Sequence, residues 1–510
     1  MKHKVVLCLA LVLGNSLFGN FAAAAQSQWV CFDSDGKLAY KTLPDNDRIM
    51  DFSYAGYMGG GVKIPSVPVA KTIFPSGRDD TAAIQNAIDE VSQMPLMGGF
   101  RGAVLLGPGT FICNSRIVIK TNGVLLRGSG PKITTIQMTG DSHTCITVGG
   151  TISPAEFGAP IAVTDDYVPA GAMTFHVTDA SSLSNGDAIL ICRPVTGAWI
   201  QFMGMDKLVR NHKPERWMDG RVETHRIIRS ISGNAITVDV PLSDSLDAKY
   251  LNPPGATIVR CSTSNLIDHI GLENFRIASP PQSITIEEKQ NKAVTVDHAN
   301  DVWIRNVTAD DTINSIYFGH DTRRVTVANV QVNHTVETKG AALPADFTAD
   351  GTQILLNHCS GHGSHLFYFV TLNAVTGPNV LLNCDFYGNG HIQPHARWAT
   401  GLLVDNCHLP NGGVDLMNRG IMGSGHGWTV GWAVLWNCSA KSFIVQQPPG
   451  SANWAIGCIG AQEHFAEPGS KTIPPQGFVD SGNHPVTPTS LYLEQLRERL
   501  GDEAVKNVND

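Results

Sequence analysis

Asn357-His358-Cys359, Leu382-Asn383-Cys384, Asp405-Asn406-Cys407 and Trp436-Asn437-Cys438 each close an apolar phrase. The phrases before the first three are Ile354-Leu355-Leu356, Val380-Leu381-Leu382 and Leu402-Leu403-Val404. Upstream the same position reads Glu273-Asn274-Phe275, Arg305-Asn306-Val307 and Ala328-Asn329-Val330, and downstream Ile456-Gly457-Cys458. From Phe275 to Cys458 the word returns in seven steps of about 26 residues, individual steps running from 20 to 32. One strand phrase per repeat at that period predicts a solenoid. No amphipathic helix of usable length separates the phrases, which disfavours a barrel or a doubly wound sheet. Stacking coils about 4.8 Å apart puts Asn on Asn and Cys on Cys. The Asn ladder then satisfies backbone groups at the turns, and the Cys ladder supplies small buried hydrophobes. Disulfides between neighbouring coils stay open on distance grounds.

Working outward, Ser76-Gly77-Arg78-Asp79-Asp80-Thr81 leads into apolar residues at helical spacing through Val91, a helix placed to plug the first coil. Strands are expected at 102–106, 117–119 and 124–127. Leu491, Leu493, Leu496, Leu500 and Val505 predict a second amphipathic helix over 490–507, placed to cap the last coil and hide its edge. Between about 160 and 260 the period breaks, and Val163-Thr164, Thr174 to Val177, Asp187 to Ile191 and Ala235 to Val238 read as antiparallel strands. There, 203–217 carries Lys207, Arg210, His212, Lys213, Arg216 and Trp217, a basic, aromatic loop able to overhang the solenoid or simply to face solvent. The expected division is 1–25 targeting segment, 26–157 first coils with their helix, 158–262 inserted antiparallel module, 263–488 main coils, and 489–510 C-terminal capping helix. The fold class is all-β: a parallel β-helix with two capping helices and an inserted small β module.

Lys2 and Lys4, the apolar run Val5 to Phe18, and Ala22 to Ala25 read as a cleavable export signal too short to span a membrane. The mature chain is therefore expected in the periplasm or outside the cell. The net charge of −8 argues against a nucleic-acid-binding surface, so any site for an acidic substrate must be local.

Phe52-Ser53-Tyr54-Ala55-Gly56-Tyr57, Arg101 to Gly109 and Leu126-Arg127-Gly128-Ser129-Gly130 resemble the pectate lyase-like superfamily of right-handed parallel β-helix proteins. Arg397-Trp398-Ala399-Thr400-Gly401, Gly423 to Trp428 and Asn453 to Gly457 look like an uncharacterised bacterial branch of it. The resemblance covers most of the mature chain and implies a right-handed coil. It leaves the activity among polysaccharide lyases, glycoside hydrolases and phage tailspikes. Many lyases of that superfamily use Ca²⁺, which leaves the cofactor open between none, Ca²⁺ at Asp346 with Asp350 or the pair Asp310-Asp311, neither forming a cage by itself, and a transition metal at His391-His395 or His362-His365. Polygalacturonase-like hydrolases carry an Asp pair, a Gly-His-Gly word and a basic word. Here Asp310-Asp311 precedes Gly361-His362-Gly363 by two coils instead of one, and no basic word follows.

Of 18 histidines, His358, His362, His365, His391, His395, His408 and His426 fall in one short stretch, several just past strand phrases. Residues 25 to 35 apart lie one coil apart, so His362, His365, His395, Arg397, Arg419 and His426 are expected to converge on one cleft. Cutting a uronic-acid chain by β-elimination requires a neutralised carboxylate, a base for the adjacent C–H and an acid for the leaving oxygen. Arg397 and Arg419 are the candidates for the carboxylate, His395 or His362 for the base, and His426 for the leaving group. His365 and Asn418 are expected to bind substrate, with Trp398 and Trp428 as sugar platforms. His358 and His408 sit at ladder positions and read as structural; Trp436 and Trp454 lie inside strand phrases and read as core. The expected partner is an acidic polysaccharide, without membrane insertion; hydrolysis and a non-catalytic carbohydrate-binding or adhesion role are the alternatives. The sugar, endo or exo action and the oligomeric state are left open.

Overall fold

The structure, a computed structural model, describes residues 25–150, 153–468 and 470–509; apart from Ala25, the targeting segment expected over 1–25 lies outside them. The repeating words are successive coils of a right-handed parallel β-helix, whose strands pair in one 28-stranded parallel array. Each full coil contributes three strands. In one coil these are Thr352–Asn357, Ser360–His362 and Phe367–Thr371; in the next, Thr376–Leu382, Asp385–Tyr387 and His391–Ile392. Register keeps like on like: Val325 pairs Ile354, Leu355 pairs Val380, and Leu381 pairs Val404.

The first and second strands of each coil meet at a tight corner, and there the ladder word has its cause. Asn274, Asn306, Asn329, His358, Asn383, Asn406 and Asn437 all hold φ between +50° and +65°. Most side chains lose roughly 1–2 kcal/mol in that left-handed conformation, whereas Asn tolerates it. Side-chain stacking adds to this: Asn306 Nδ2 donates to Asn274 Oδ1 at 3.1 Å, and Asn406 Nδ2 to Asn383 Oδ1 at 2.8 Å. The cysteine after each corner points inward. Cys359, Cys384, Cys407, Cys438 and Cys458 are buried free thiols, as are Cys113 and Cys145.

The first-strand phrases are apolar without alternation because both faces are covered. Leu356, Leu381 and Val404 fill the coil interior, while Leu355, Leu382, Leu403, Val434 and Trp436 face outward into a second apolar cluster. Trp436 and Trp454 are buried there. Two segments cover that flank. Residues from Trp29 to Ala55 run along it, with Ala25 pairing Val486. The C-terminal helix is the other, and it corrects the expected cap: it does not close the last coil. Leu491–Leu500 and Asp502–Asn509, broken at Gly501 (φ +84°), lie lengthwise over the flank. Their apolar stripe (Leu491, Tyr492, Leu496, Ala504, Val505) meets the outward leucines, and they reach from Asp405 back to Asn357, whose Nδ2 donates to Val508 O. The outward row of the first strands is itself apolar, and the helical stripe buries against it. At the N-terminal end, Thr81–Ser92 buries Ile84, Ala87, Ile88 and Val91 against the first coils.

The third strand returns to the first through an open corner, which carries the long connections. Between Thr144–Gly149 and Ile267–Ala278 it admits a six-stranded antiparallel sheet that includes Ala188–Pro194, Arg221–Ser232 and Thr257–Ser262. No helix among the described residues is long and apolar enough to cross a membrane.

Candidate active site

The open corner and the opposite, middle corner share the third-strand sheet between them, and the expected site residues divide between its two ends. His395, Arg397, Trp398, Asn418, Arg419, His426 and Trp428 sit at the open corner. His362 and His365 precede Phe367–Thr371, whereas His395 follows it, its N–H donating to Thr371 O at 3.0 Å. A five-residue strand is about 17 Å long, so the single cleft expected from sequence does not form.

At the open corner, Arg419 is the centre. Its Nη1 donates to His395 Nδ1 at 3.0 Å and to His395 O at 2.9 Å. The guanidinium is buried (7% exposed), and its Nε has no partner. Burial brings Arg419 down to about 10, opposed by Asp415. The His395 and His426 rings lie 4.9 Å apart. Burial and the neighbouring Arg419 hold both imidazoles neutral, His395 at about 3 and His426 at about 4. Because a guanidinium only donates, His395 Nδ1 must accept and its proton sits on Nε2. Nδ1 of His426 is buried without a partner. Its ring lies over Gly423, where a Cβ would come within 2.0 Å of Nε2, so this position admits only glycine.

Four expected members have other duties. Arg397 donates through Nε to Gly425 O and through Nη2 to Ser424 O and Oγ, so it anchors the 424–425 loop rather than offering a free fork. Asn418 Oδ1 accepts from Gly420 N, a turn within the same loop. Trp398 and Trp428, the expected platforms, are 2% and 4% exposed. They pack with Trp199, Met203, Met205 and Trp217 of the inserted segment, and Trp428 Nε1 donates to Met203 O. Large apolar rings at a junction of two sheets gain more from burial than from facing water. The 203–217 segment closes over the cluster: Trp217 Nε1 donates to His426 O at 2.9 Å, and Arg210 adds to the charge that keeps His426 neutral.

At the middle corner, His362 stacks on Tyr387 at 4.7 Å and His365 Nδ1 faces Thr338 O. Beside them His334 Nε2 meets Asp346 Oδ1 at 2.6 Å, and the other oxygen of this buried carboxylate has no partner. Despite its own burial, His334 is raised by Asp346. Asp310 is engaged by Arg276 and by Asn333 Nδ2, and Asp311 accepts from Thr335 N and Oγ1. These carboxylates face protein donors and do not fit a Ca²⁺ cage; no group of three metal-ligating side chains is assembled among the described residues.

Sequence reasoning missed Asp415 and the grouping of Asp297 and Asp321 with Asp350. Asp415 accepts from His391 Nδ1 at 2.8 Å and Gln393 Nε2 at 2.7 Å beneath the cluster; inside Val414-Asp415-Leu416 it reads as core. Asp297, Asp321 and Asp350 come from three consecutive coils at the open corner, beside His298 and Tyr317. His298 Nε2 lies 3.4 Å from Asp321, and Tyr317 Oη donates to Asp350 at 3.0 Å. Burial raises the Asp350 carboxyl, helped by Asp297 and Asp321. No shared word marks these positions; only their coil-to-coil spacing does.

No family model and no curated protein matches the chain. Among solved structures it is similar to the tailspike protein gp49 from Pseudomonas phage LKA1, at 15% identity over 79% of this chain and 72% of that one, TM-score 0.41. It is also similar to PfbA, a surface adhesin of Streptococcus pneumoniae (12%, 80% and 78%, TM-score 0.36). A third is the catalytic domain of a GH87 alpha-1,3-glucanase in complex with nigerose (9%, 84% and 67%, TM-score 0.36).

Proposed function

We propose that this β-helix acts outside the cytoplasm on a uronate-containing polysaccharide and cuts it by β-elimination at His395, Arg419 and His426. The observation that carries this reading is a buried arginine with an unpartnered Nε, set against two neutral imidazoles. Arg419 binds the uronate carboxylate and makes the adjacent C–H more acidic. That carboxylate also offsets the Arg419 charge, which adds to burial in depressing His426, so the imidazole gains basicity when substrate arrives. His426 takes the C5 proton, the C4–O bond breaks as the C4=C5 bond forms, and the imidazolium returns a proton to the leaving oxygen. His395, with its proton on Nε2, serves as a hydrogen-bond donor rather than the base, which reverses the roles expected from sequence.

The test is a panel of uronate polysaccharides followed by the ultraviolet absorbance of the conjugated product. Absorbance that vanishes in Arg419→Ala and His426→Ala supports the reading. New reducing ends without absorbance overturn it and favour hydrolysis. The hydrolytic reading has its own observation: Asp350, whose carboxyl burial raises, stands beside Asp297 and Asp321, and glycoside hydrolysis uses a pair of carboxyl groups. Binding without any cutting would favour an adhesion role.

A further inference from the structure

Where the N-terminal flank segment, the inserted module and the open-corner loops meet, they line a half-open cavity of about 370 Å³. One wall is aromatic: Phe202 and Tyr250 stack at 4.0 Å and 16°, both half-buried, while Trp199, Trp398 and Trp432, also in the lining, are each buried. The indole N–H groups of Trp398 and Trp432 are both taken by Asp244, at 2.7 and 3.0 Å, so the rings are fixed in place. Arg193 is fully buried 4.2 Å over Trp199 and lies 3.5 Å from Asp244, yet its Nη1 has no hydrogen-bond partner. Ser451 Oγ, on the same lining, is likewise buried and unpartnered. Buried donors left unmade are costly, so two in one cavity point to a ligand that supplies acceptors. The lining holds four carboxylates, Asp45, Asp47, Asp244 and Asp247, against two cations, Arg193 and Lys249.

We propose that this junction is a saccharide-binding site for a non-acidic pyranose, separate from the His395–Arg419–His426 cluster. A sugar presents an apolar C–H face suited to the aromatic wall and hydroxyls suited to Arg193 Nη1 and Ser451 Oγ. The carboxylate excess repels a uronate. The site therefore selects a neutral or amino-bearing residue, and a mixed polysaccharide would be held here at one unit and cut elsewhere at another. The choice of sugars as probes rests on the carbohydrate reading above, but binding is read without any cleavage.

The experiment is calorimetric titration of Arg419→Ala protein, and of the same protein carrying Tyr250→Ala or Phe202→Ala, with neutral tetrasaccharides (cello-, xylo-, malto-, laminari- and chito-) and with trigalacturonate. The expected result is that at least one neutral tetrasaccharide binds and that each second change weakens it about tenfold or more, or about 1.4 kcal/mol. Circular dichroism must show that the variants stay folded, and Phe202→Ala stands in if Tyr250→Ala does not. No binding by any neutral tetrasaccharide overturns the proposal, as does affinity unchanged in the folded variants, or trigalacturonate binding that depends on Tyr250. Loss of cleavage in Arg419→Ala leaves this readout untouched, so the two proposals fail separately.

Discussion

At the two ends of one sheet, histidine is held in opposite states. At the middle corner, His334 lies against the buried carboxylate of Asp346 and is pushed toward the cation. At the open corner, His395 and His426 lie against Arg419 and are held neutral. The coil geometry is the same at both ends, so the charge of the partner decides the chemistry. At the middle corner the two charges offset one another, with one Asp346 oxygen left unpartnered, whereas Arg419 stands beside neutral rings with its Nε unpartnered.

The largest test of that contrast is catalytic. Arg419→Ala is expected to slow elimination about 1000-fold or more, the size of effect seen when a preorganised charge partner is lost. Asp346→Ala should leave the rate within about threefold. Equal losses, measured as initial ultraviolet rates, would erase the distinction between the two ends. Next comes stability. Asp346→Ala strands His334 in the interior and should cost about 2–4 kcal/mol in urea unfolding; an unshifted midpoint would mean that the pair is idle.

The third test is titration. Ring resonances of His395 and His426 should stay in the neutral form from pH 8 down to about 5, while those of His334 and His391 remain protonated above about 6.5. The linked stabilities have opposite signs. The raised His334 contributes fully below about pH 6.5 and loses that contribution as pH rises through its folded value. The depressed His395 and His426 make the fold less stable as pH falls below about 6.5 toward 3–4. Asp346→Ala should remove the first slope and spare the second.

A further histidine setting, the tight corner, gives the smallest effect. His358 occupies a left-handed position that Asn fills in the coils around it, so His358→Asn should stabilise by a few tenths of a kcal/mol and leave activity alone. Destabilisation by more than about 1 kcal/mol would show a role for the ring itself.

The ladder was readable from sequence because stacking forces one residue type on one backbone conformation coil after coil. Asn383 and Asn406 advertise their corner. The open corner obeys no such constraint, so Arg419 and His426 were visible as residue types flanked by glycine but not as partners. Trp398 and Trp428 misled because exposure was inferred from loop position, and only the packed module shows them buried. Asp415 was hidden inside an apolar strand phrase, and Asp350 was weighed only beside Asp346 because no repeated word ties it to Asp297 and Asp321. The C-terminal helix was legible as an amphipathic stripe, but the face that stripe covers depends on the outward leucines of earlier coils, Leu355, Leu382 and Leu403.

The pairing of Ala25 with Val486, and of Ser27 Oγ with Asp480 at 2.8 Å, has a consequence for the order of assembly. The coils can zip one on the next as they are made, each needing only its predecessor. The flank segment spans many neighbours at once: Asp47 meets Tyr167 and Ala170, Gly56 meets Gln353, and Ala25 and Ser27 anchor on the last turns of the stack, more than 450 residues downstream. That last anchor cannot form until those turns exist, so this part of the flank closes after the coils it covers rather than with them. The seam is a clasp between an early segment and a late one, not another coil.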